Sequence, residues 1–449
     1  MVRNWRQDVA RAHCLGRMSV ASIYRRTKHL RLSTTPSASI LALLTLVILS
    51  DAQALRAATF QLPQLPQVPG LSGKSADWRQ WDSFYTFVVK RLGQDLPENL
   101  KDPLGGAFLD SRYELTSAVA PGKGGDPVPQ LFVSGWKRLS PIMNQALPVL
   151  PKQTASLYSN FIGAADKLAA TGPTGVQSGI VSLSPDVLKD MARIIQPTGG
   201  ADPLAYTTGV DSSLRTLLGF GASGVRQSRL DRRFFPEERE ASLLGLWLDR
   251  RAFAAESPAG KANPWVVPDG SELHPYLMKV RALLEAMSDR LAVKSKLGAE
   301  HQPTYRQIVF AAAWQESCWR QFIKKGNNIT PLASTTGDLG LMQVNRNTWR
   351  SVYDIKELGG DIQYNGNAGG EILLYYLTRY AIRKSEDKQP GGNLARATYS
   401  AYNGGPSALG RYRAAKQNPE LKKVDEAFWN KFQVVSAGKE MEVKTCYQK

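Results

Sequence analysis

The chain has 449 residues, which is long for one domain and leads us to expect two or three. Its formal net charge is +18, a balance that fits nucleic acid, anionic lipid or an anionic polymer as the partner. No zinc-finger spacing, basic heptad region or RNA-binding aromatic signature accompanies this charge, so we exclude nucleic acid.

The first 54 residues have the three parts of a secretory signal. Residues 1–36 are basic, Ser37–Ser50 form a largely apolar run, and an Ala-x-Ala motif ends at Ala54. Because the run is too short to span a bilayer easily, we predict export to the periplasm with cleavage near Ala54. An uncleaved membrane anchor is the alternative. The basic segment is unusually long, which makes Met18 an alternative start.

A linker and a first helix are predicted next. Residues 55–75 are rich in Pro and Gln and are predicted to form the linker. From Trp78 to Leu92, apolar and aromatic residues recur every three or four positions, which indicates an amphipathic helix. Such aromatic rings can stack on sugars, but helical spacing favours packing in a core. Further helices are predicted at 137–146, 153–170, 184–195, 212–218, 236–256 and 274–297.

Residues 76–297 as a whole are predicted to be a mostly helical region of unknown fold and function. Gly/Pro-rich stretches interrupt it, as at 121–129, but it contains no strand-rich section, no repeat of fixed period and no chemical motif. The charge cluster at 229–240 is interpreted as a solvated face. A protein of the cell envelope is a candidate partner for this region.

The stretch Tyr305–Trp319 is predicted to be a helix that carries the lone carboxylate Glu316. Thr304 and Gln307 have the spacing of a capping box, which would mark the helix start. Glu316 follows an apolar, Ala-rich stripe, and a carboxylate against such a surface has a raised pKa that suits a general acid. Taken alone, this helix favours a salt-bridged or solvent-facing glutamate over a catalytic one.

Two further motifs favour catalysis. GLMQV begins at Gly340 and AYNGGP begins at Ala401. Glu-Ser, GLMQV and AYNGGP, in this order over about ninety residues, resemble the family 1 lytic transglycosylases, bacterial murein-cleaving enzymes with a lysozyme-like, goose-type helical domain. The segment from Asp361 to Leu373 fits the family loosely as well. The resemblance covers about the last third of the chain, and we place the catalytic domain at residues 298–449.

The resemblance implies a reaction with one carboxylate, whereas most glycosidases use two. Glu316 would protonate the oxygen of the β-1,4 bond between N-acetylmuramic acid (MurNAc) and N-acetylglucosamine (GlcNAc). The MurNAc N-acetyl group would steady the cationic centre, and the C6 hydroxyl would attack C1 to give 1,6-anhydroMurNAc. Glu316 would act first as acid and then as base. The substrate would be peptidoglycan glycan strands, whose stem-peptide carboxylates fit a basic protein.

The motifs also supply candidate substrate-binding residues. Gly340 would allow a close approach of backbone to sugar, Met342 would offer an adaptable apolar surface, and Gln343 would offer amide groups. Tyr402 and Asn403 would hold the glutamate and the N-acetyl group in register. The full set of candidates comprises Ser317, Ser334, Thr336, Gly340, Leu341, Met342, Gln343, Tyr402, Asn403 and Tyr447.

Asp338 leaves a hydrolytic reaction open. It lies two residues before GLMQV, close to where goose-type lysozymes keep a carboxylate proposed to position water. If Asp338 faces the cleft, hydrolysis follows; an exposed loop aspartate is the other interpretation. The interval between Glu316 and Gly340 is long for the family, and residues 324–332 are predicted to be an extra loop.

The three cysteines predict a disulfide. They form no CxxC pair and no metal-ligand cluster, so we expect no metal and no cofactor. Removal of the signal would leave Cys318 and Cys446 in an oxidising compartment, where we expect them to pair. Two residues of helix are about 200° of rotation, so Cys318 would point away from Glu316. Tyr447 would then lie outside the cleft unless the helix ends at Ser317.

Three functions compete. The leading hypothesis is an exported lytic transglycosylase; the alternatives are a hydrolytic muramidase of the same fold and a wall-binding assembly factor of an envelope machine. Since all three motifs lie within 298–449, we expect that fragment to cleave isolated murein by itself.

Overall fold

The computed structural model describes residues 75–170, 183–221, 265–268, 270–389 and 391–448, which fold mainly as α-helices. This confirms the predicted fold class. The predicted signal peptide, the linker up to residue 74 and the predicted helix at 236–256 lie outside the described residues. Within the described ranges, no helix is both long and apolar enough to cross a bilayer.

The N-terminal helices follow one another closely along the chain. The first begins at a capping box in which Asp77 accepts from the amide of Gln80, and the Gln80 side chain accepts from the amide of Asp77. A helix at 98–118 was not predicted, because Pro103 and the pair Gly105-Gly106 interrupt its pattern. The helices are α1 (Trp78–Asp95), α2 (Glu98–Ala118), α3 (Val128–Ala146), α4 (Lys152–Ala170), α5 (Pro185–Ile195) and α6 (Ser212–Leu217).

The C-terminal helices surround α8, the helix that carries Glu316. Its residues from Ile308 to Ala313 are almost completely buried by contacts with four neighbouring helices, α7, α10, α11 and α12. The helices are α7 (Leu273–Lys294), α8 (Gln302–Ser317), α9 (Ile355–Gly360), α10 (Ile362–Tyr376), α11 (Asn393–Gly404) and α12 (Pro419–Ser436).

The start of α8 differs from the prediction. The capping box expected at Thr304 is wrong, because the helix begins at Gln302 and follows a 3-10 turn at Ala299–His301. Thr304 therefore lies inside the first turn. Pro303 sits near the helix start, where its missing N–H is not needed.

Two short hairpins lie between α8 and α9. β1 (Phe322–Lys325) pairs antiparallel with β2 (Asn328–Pro331), and Lys325 is opposite Asn328 across a tight turn. This hairpin is the segment that the sequence marks as an extra loop. β3 (Asp338–Leu339) pairs with β4 (Val344–Asn345), which closes the GLMQV segment into a loop.

The N-terminal and C-terminal helices share buried ion pairs. Asp82 of α1 bonds Arg112 of α2 at 2.8 Å and Arg350 of the C-terminal region at 2.6 Å, and all three side chains are almost fully buried. A second contact joins Arg215 of α6 to Glu371 of α10 at 3.1 Å. The described residues accordingly fall in one compact unit, and the domain boundary at residue 297 remains a prediction.

Candidate active site

Glu316 lies one residue before the end of α8. Cys318 has a left-handed conformation (φ 53°) and caps the helix, so α8 ends at Ser317. Glu316 is partly exposed, while the helix residues from Ile308 to Trp314 are buried. The carboxylate therefore stands at the edge of an apolar helix, where a substrate can reach it.

The surroundings of Glu316 favour its acid form. The pKa of this carboxyl is raised to about 7, chiefly by burial and to a smaller extent by the negative charge of Asp338. The Tyr399 hydroxyl, which donates to Glu316 Oε1 at 2.8 Å, and the Lys431 ammonium act in the opposite direction and lower this pKa. Glu316 is consequently poised to give up and take back a proton near neutral pH.

Tyr399 is a site residue that the sequence motifs do not identify. Its ring stacks on Phe428 of α12 with centroids 4.0 Å apart, which fixes the direction of the hydroxyl. Burial raises the pKa of Tyr399 well above its usual value, so the phenol keeps the proton it donates to Glu316. Tyr402, expected to hold the glutamate, instead donates to the Met342 carbonyl at 2.5 Å. Tyr399 lies one helical turn earlier and takes that place.

Two buried amides hold the GLMQV loop from behind. Gln321 Oε1 accepts from the amide of Leu341, and Asn365 Oδ1 accepts from the amide of Met342, both at 2.8 Å. A Cβ at Gly340 (φ 70°) would lie 2.3 Å from Gln321 Oε1 and 2.7 Å from Asn365 Nδ2. Gly340 is thus required for packing against these amides, and its expected close approach to sugar stays a prediction.

The apolar side chains of the loop face the core. Leu341 and Met342 are both 0% exposed, and a Cβ at Gly369 of α10 would lie 2.3 Å from that of Met342. The expectation that Met342 offers its surface to the substrate is therefore wrong, and the same holds for Leu341. Gln343 is partly exposed in a left-handed conformation (φ 47°), and its amide donates to the Gly340 carbonyl at 2.7 Å. Such strain at a non-glycine residue is typical of functional sites.

Ser317 connects the catalytic helix to this loop. The serine is 3% exposed, and its hydroxyl lies 2.6 Å from the Leu341 carbonyl and 3.1 Å from the Ala313 carbonyl. It was expected to bind substrate, but its burial gives it the role of fixing the loop next to Glu316.

Asp338 is surrounded by donors. The hydroxyls of Ser334 and Thr336 both donate to Oδ2, the latter at 2.6 Å. Asn345 Nδ2 donates to Oδ1 at 2.8 Å. Ser334 and Thr336, predicted to bind substrate, thus fix a carboxylate whose charge acts on Glu316.

Lys431 places a positive charge near Glu316. It lies on α12 one turn after Phe428, is partly exposed, and donates to Gln315 Oε1 at 2.8 Å. Its Nζ is 6.0 Å from the centre of the Trp314 ring. Among the residues that the structure describes, no carboxylate lies within 4.0 Å of this ammonium. Its charge acts on Glu316 and lowers the pKa of that carboxyl.

The C-terminal tail reaches the end of the catalytic helix. The expected disulfide between Cys318 and Cys446 is present, with a Cα–Cα distance of 6.2 Å. The Tyr447 hydroxyl donates to the Cys318 carbonyl. Because α8 ends at Ser317, the condition for Tyr447 to approach the site is met.

Asn403 is in the last turn of α11 and is partly exposed. Its side chain makes no hydrogen bond within the described part of the chain. Its amide therefore has free donors and an acceptor beside Tyr402.

Comparison with known proteins gives one family match, which covers the region of this site. Residues 298–424 match the family model for the transglycosylase SLT domain. Searches among curated proteins and among solved structures found no significant match. The matched residues include Glu316, Tyr399 and both motif segments. The match supports a lysozyme-like catalytic domain of the lytic transglycosylase type, which acts on peptidoglycan.

Proposed function

We propose that the chain, whose residues 298–424 form a transglycosylase SLT domain, cleaves the β-1,4 bond between MurNAc and GlcNAc and releases 1,6-anhydroMurNAc. Glu316 is the single acid and base. The observation that carries this proposal is the pKa of Glu316, which burial raises to about 7 beside the fixed donor Tyr399.

The reaction balances with one carboxyl group. Protonated Glu316 gives its proton to the glycosidic oxygen, and the bond from C1 to that oxygen breaks. The MurNAc N-acetyl oxygen steadies the positive charge at C1. Glu316, now ionised, takes the proton of the C6 hydroxyl as O6 bonds to C1. The carboxyl ends protonated, as it began, and no water is consumed.

Asp338 argues against hydrolysis. To activate water, Asp338 would have to accept a further hydrogen bond from that water on an oxygen directed at the sugar. Both oxygens of Asp338 already accept from side chains, namely Ser334 and Thr336 on Oδ2 and Asn345 on Oδ1. This arrangement supports a role for Asp338 in setting the charge around Glu316.

The substrate contacts are inferred from the groups that can still form hydrogen bonds. The Asn403 amide and the partly exposed Gln343 are the predicted residues that remain able to bind the N-acetyl and hydroxyl groups of the sugars. Tyr447 stands at the Cys318 end of the helix and completes the set.

Digestion of purified murein tests the product. The fragments are weighed by mass spectrometry, and we expect ends one water lighter than hydrolysed ends. Reducing ends would instead support a muramidase, and the absence of cleavage would support a wall-binding factor.

Glu316→Gln tests the acid. The variant keeps the shape and the acceptor for Tyr399 but removes the proton source, so murein release should fall by orders of magnitude while the circular dichroism spectrum is unchanged. Asp338→Asn is the matched comparison and should stay within a few-fold of wild type. A comparable loss in the asparagine variant would favour hydrolysis.

Export to the periplasm is part of the proposal, since murein lies outside the cytoplasm. It is supported by the signal-like segment that ends at Ala54. Fractionation of cells and N-terminal sequencing of the mature protein would decide between cleavage and an anchored form.

A further inference from the structure

Helix α2, which lies outside the matched SLT domain, touches the catalytic segment at its end. The Tyr113 hydroxyl donates to the Tyr402 carbonyl at 2.6 Å and accepts from the Tyr376 hydroxyl at 3.4 Å. The Tyr402 carbonyl belongs to the last turn of α11, where carbonyls lack a partner within the helix. A residue of the N-terminal region therefore completes the hydrogen bonding of AYNGGP.

A second contact lies one turn earlier on α2. Asp110 Oδ1 accepts from the amide of Ser407 at 2.9 Å. A Cβ at Gly405 would lie 2.9 Å from Asp110 Oδ1 and 2.9 Å from the Tyr113 ring. The turn after Tyr402 thus rests directly on α2, and Gly405 (φ 89°) is needed both for its conformation and for this close approach.

A third contact lies one turn later and leads to Asp338. The Thr116 hydroxyl is 2.8 Å from that of Thr348 and 3.3 Å from Asn345 Oδ1. The other end of the Asn345 side chain donates to Asp338 at 2.8 Å. Asp110, Tyr113 and Thr116 are spaced by three residues, so one face of α2 meets the AYNGGP segment and Asn345, the residue that follows GLMQV.

Helix α2 is also held by a buried network of ion pairs and hydrogen bonds around Arg112. Arg112 is 1% exposed, forms an ion pair with Asp82, and donates to the Arg350 carbonyl at 2.7 Å. Side chains in such a buried network have one arrangement. The position of Tyr113 relative to the C-terminal helices is therefore fixed.

We propose that α2 is part of the catalytic unit and that Tyr113 is a positioning residue of the reaction. Through the Tyr402 carbonyl it sets the end of α11, and the Tyr402 hydroxyl in turn sets the Met342 carbonyl in the loop beside Glu316. This assigns a function to the N-terminal region and rests on the proposed cleavage of murein.

Tyr113→Phe tests the assignment. The variant keeps the ring and leaves the Tyr402 carbonyl without its donor, so we expect kcat on murein to fall about tenfold, the size of one buried hydrogen bond. KM should stay within twofold, because the variant keeps the aromatic ring and removes only the hydroxyl. Tyr158→Phe is the matched control, a buried tyrosine of α4 whose hydroxyl lies 2.5 Å from Asp95 Oδ2. It should lose stability but keep kcat.

A pair of variants at Asp110 provides an independent test that does not depend on Tyr113→Phe folding. Asp110→Ala removes the acceptor for the Ser407 amide and should lower kcat several-fold, whereas Asp110→Asn keeps an acceptor and should restore it. Equal kcat in Tyr113→Phe and Tyr158→Phe, or in all three Asp110 forms, would overturn the inference. The activity of Glu316→Gln and the mass of the products test the proposed chemistry, and they are measured separately from the α2 variants. The proposed chemistry can therefore fail while the role of α2 stands.

Discussion

At the scale of single residues, the raised pKa of Glu316 has a thermodynamic cost. The carboxyl has a pKa of about 7 in the folded protein against 4.5 when exposed. Its contribution to stability is therefore fully present below pH 4.5 and is lost as the pH rises through 7. Above that range, the folded state holds an ionised carboxylate that the unfolded chain hydrates better.

We expect Glu316→Gln to be more stable than wild type at pH 8, by up to about 3 kcal/mol, because the amide carries no charge to desolvate. At pH 4 the two proteins should have the same free energy of unfolding. Urea denaturation at both pH values measures this. An equal difference at pH 4 and pH 8 would show that the Glu316 pKa is not raised.

The two charges near Glu316 predict opposite shifts of the pH profile. Asp338 raises the Glu316 pKa and Lys431 lowers it. Glu316 must be protonated to act as an acid, so activity should decline as the pH rises through about 7. Lys431→Met should move this decline to higher pH and Asp338→Asn to lower pH, as measured by kcat/KM on murein.

Lys423→Met is the control for the lysine variant. Lys423 lies on the same helix, is exposed, and pairs with Glu420 at 2.9 Å. Its removal should leave the profile unchanged. A shift in the same direction for Lys431→Met and Asp338→Asn would contradict the assignment of both charges.

At the scale of elements, the disulfide holds the tail to the end of α8. Cys318 and Cys446 are 128 residues apart in sequence, and closing such a loop stabilises typical proteins by roughly 2–4 kcal/mol. We expect Cys446→Ser to lower the free energy of unfolding by that amount. Wild type in a reducing agent should match the variant, and the variant itself should not respond to the reductant.

The hydrophobic pattern of the sequence predicted which segments are helical better than it predicted where the helices end or which helices pack together. The amphipathic run from Trp78 was sufficient to predict α1, and Glu316 was identified through its motif order. Helix α2 was missed because Pro103 and two glycines interrupt its apolar pattern, although its buried face has regular partners. Tertiary packing decides whether such a segment forms a helix, and this packing cannot be read from the local helix propensity of the residues.

The sequence predicted the candidate acid of the site better than it predicted which residues contact that acid. Motif order pointed to Glu316, but which tyrosine faces it depends on how α11 packs, and Tyr399 differs from Tyr402 by one helical turn. The only sequence signal for Tyr399 is its place two residues before AYNGGP, one helical turn before Tyr402. Gln321 and Lys431 lie outside the motifs, and three-dimensional packing alone brings them to the loop and to Glu316.

At the scale of the whole molecule, the buried ion pairs change one expectation. Residues 298–449 contain all three motifs, but Arg350 takes its counter-ion Asp82 from α1, and Glu371 takes Arg215 from α6. Removing one partner of a buried pair costs about 3–5 kcal/mol. We now expect the isolated fragment to be poorly folded and inactive on murein.

Fragment complementation measures this. Residues 298–449 alone should show a broad thermal transition and little cleavage, and adding residues 75–297, which include α7, should restore a sharp transition and cleavage. As a control, Arg350→Met in the fragment removes the unpaired cation and should sharpen the transition without restoring full activity. A fragment as active as the full chain would show that the domain is autonomous.

The distribution of the site along the chain has a consequence for its synthesis. Glu316 is followed by Tyr399, Lys431 and the cysteine at 446, and it is preceded by the α2 contacts at 110–116. A ribosome makes these parts in order, so an unfinished polypeptide has an acid without the phenol that orients it and without the tail that fastens its helix. Under the proposed function, the chain would become able to cleave murein only after residue 446 has emerged and the chain has folded.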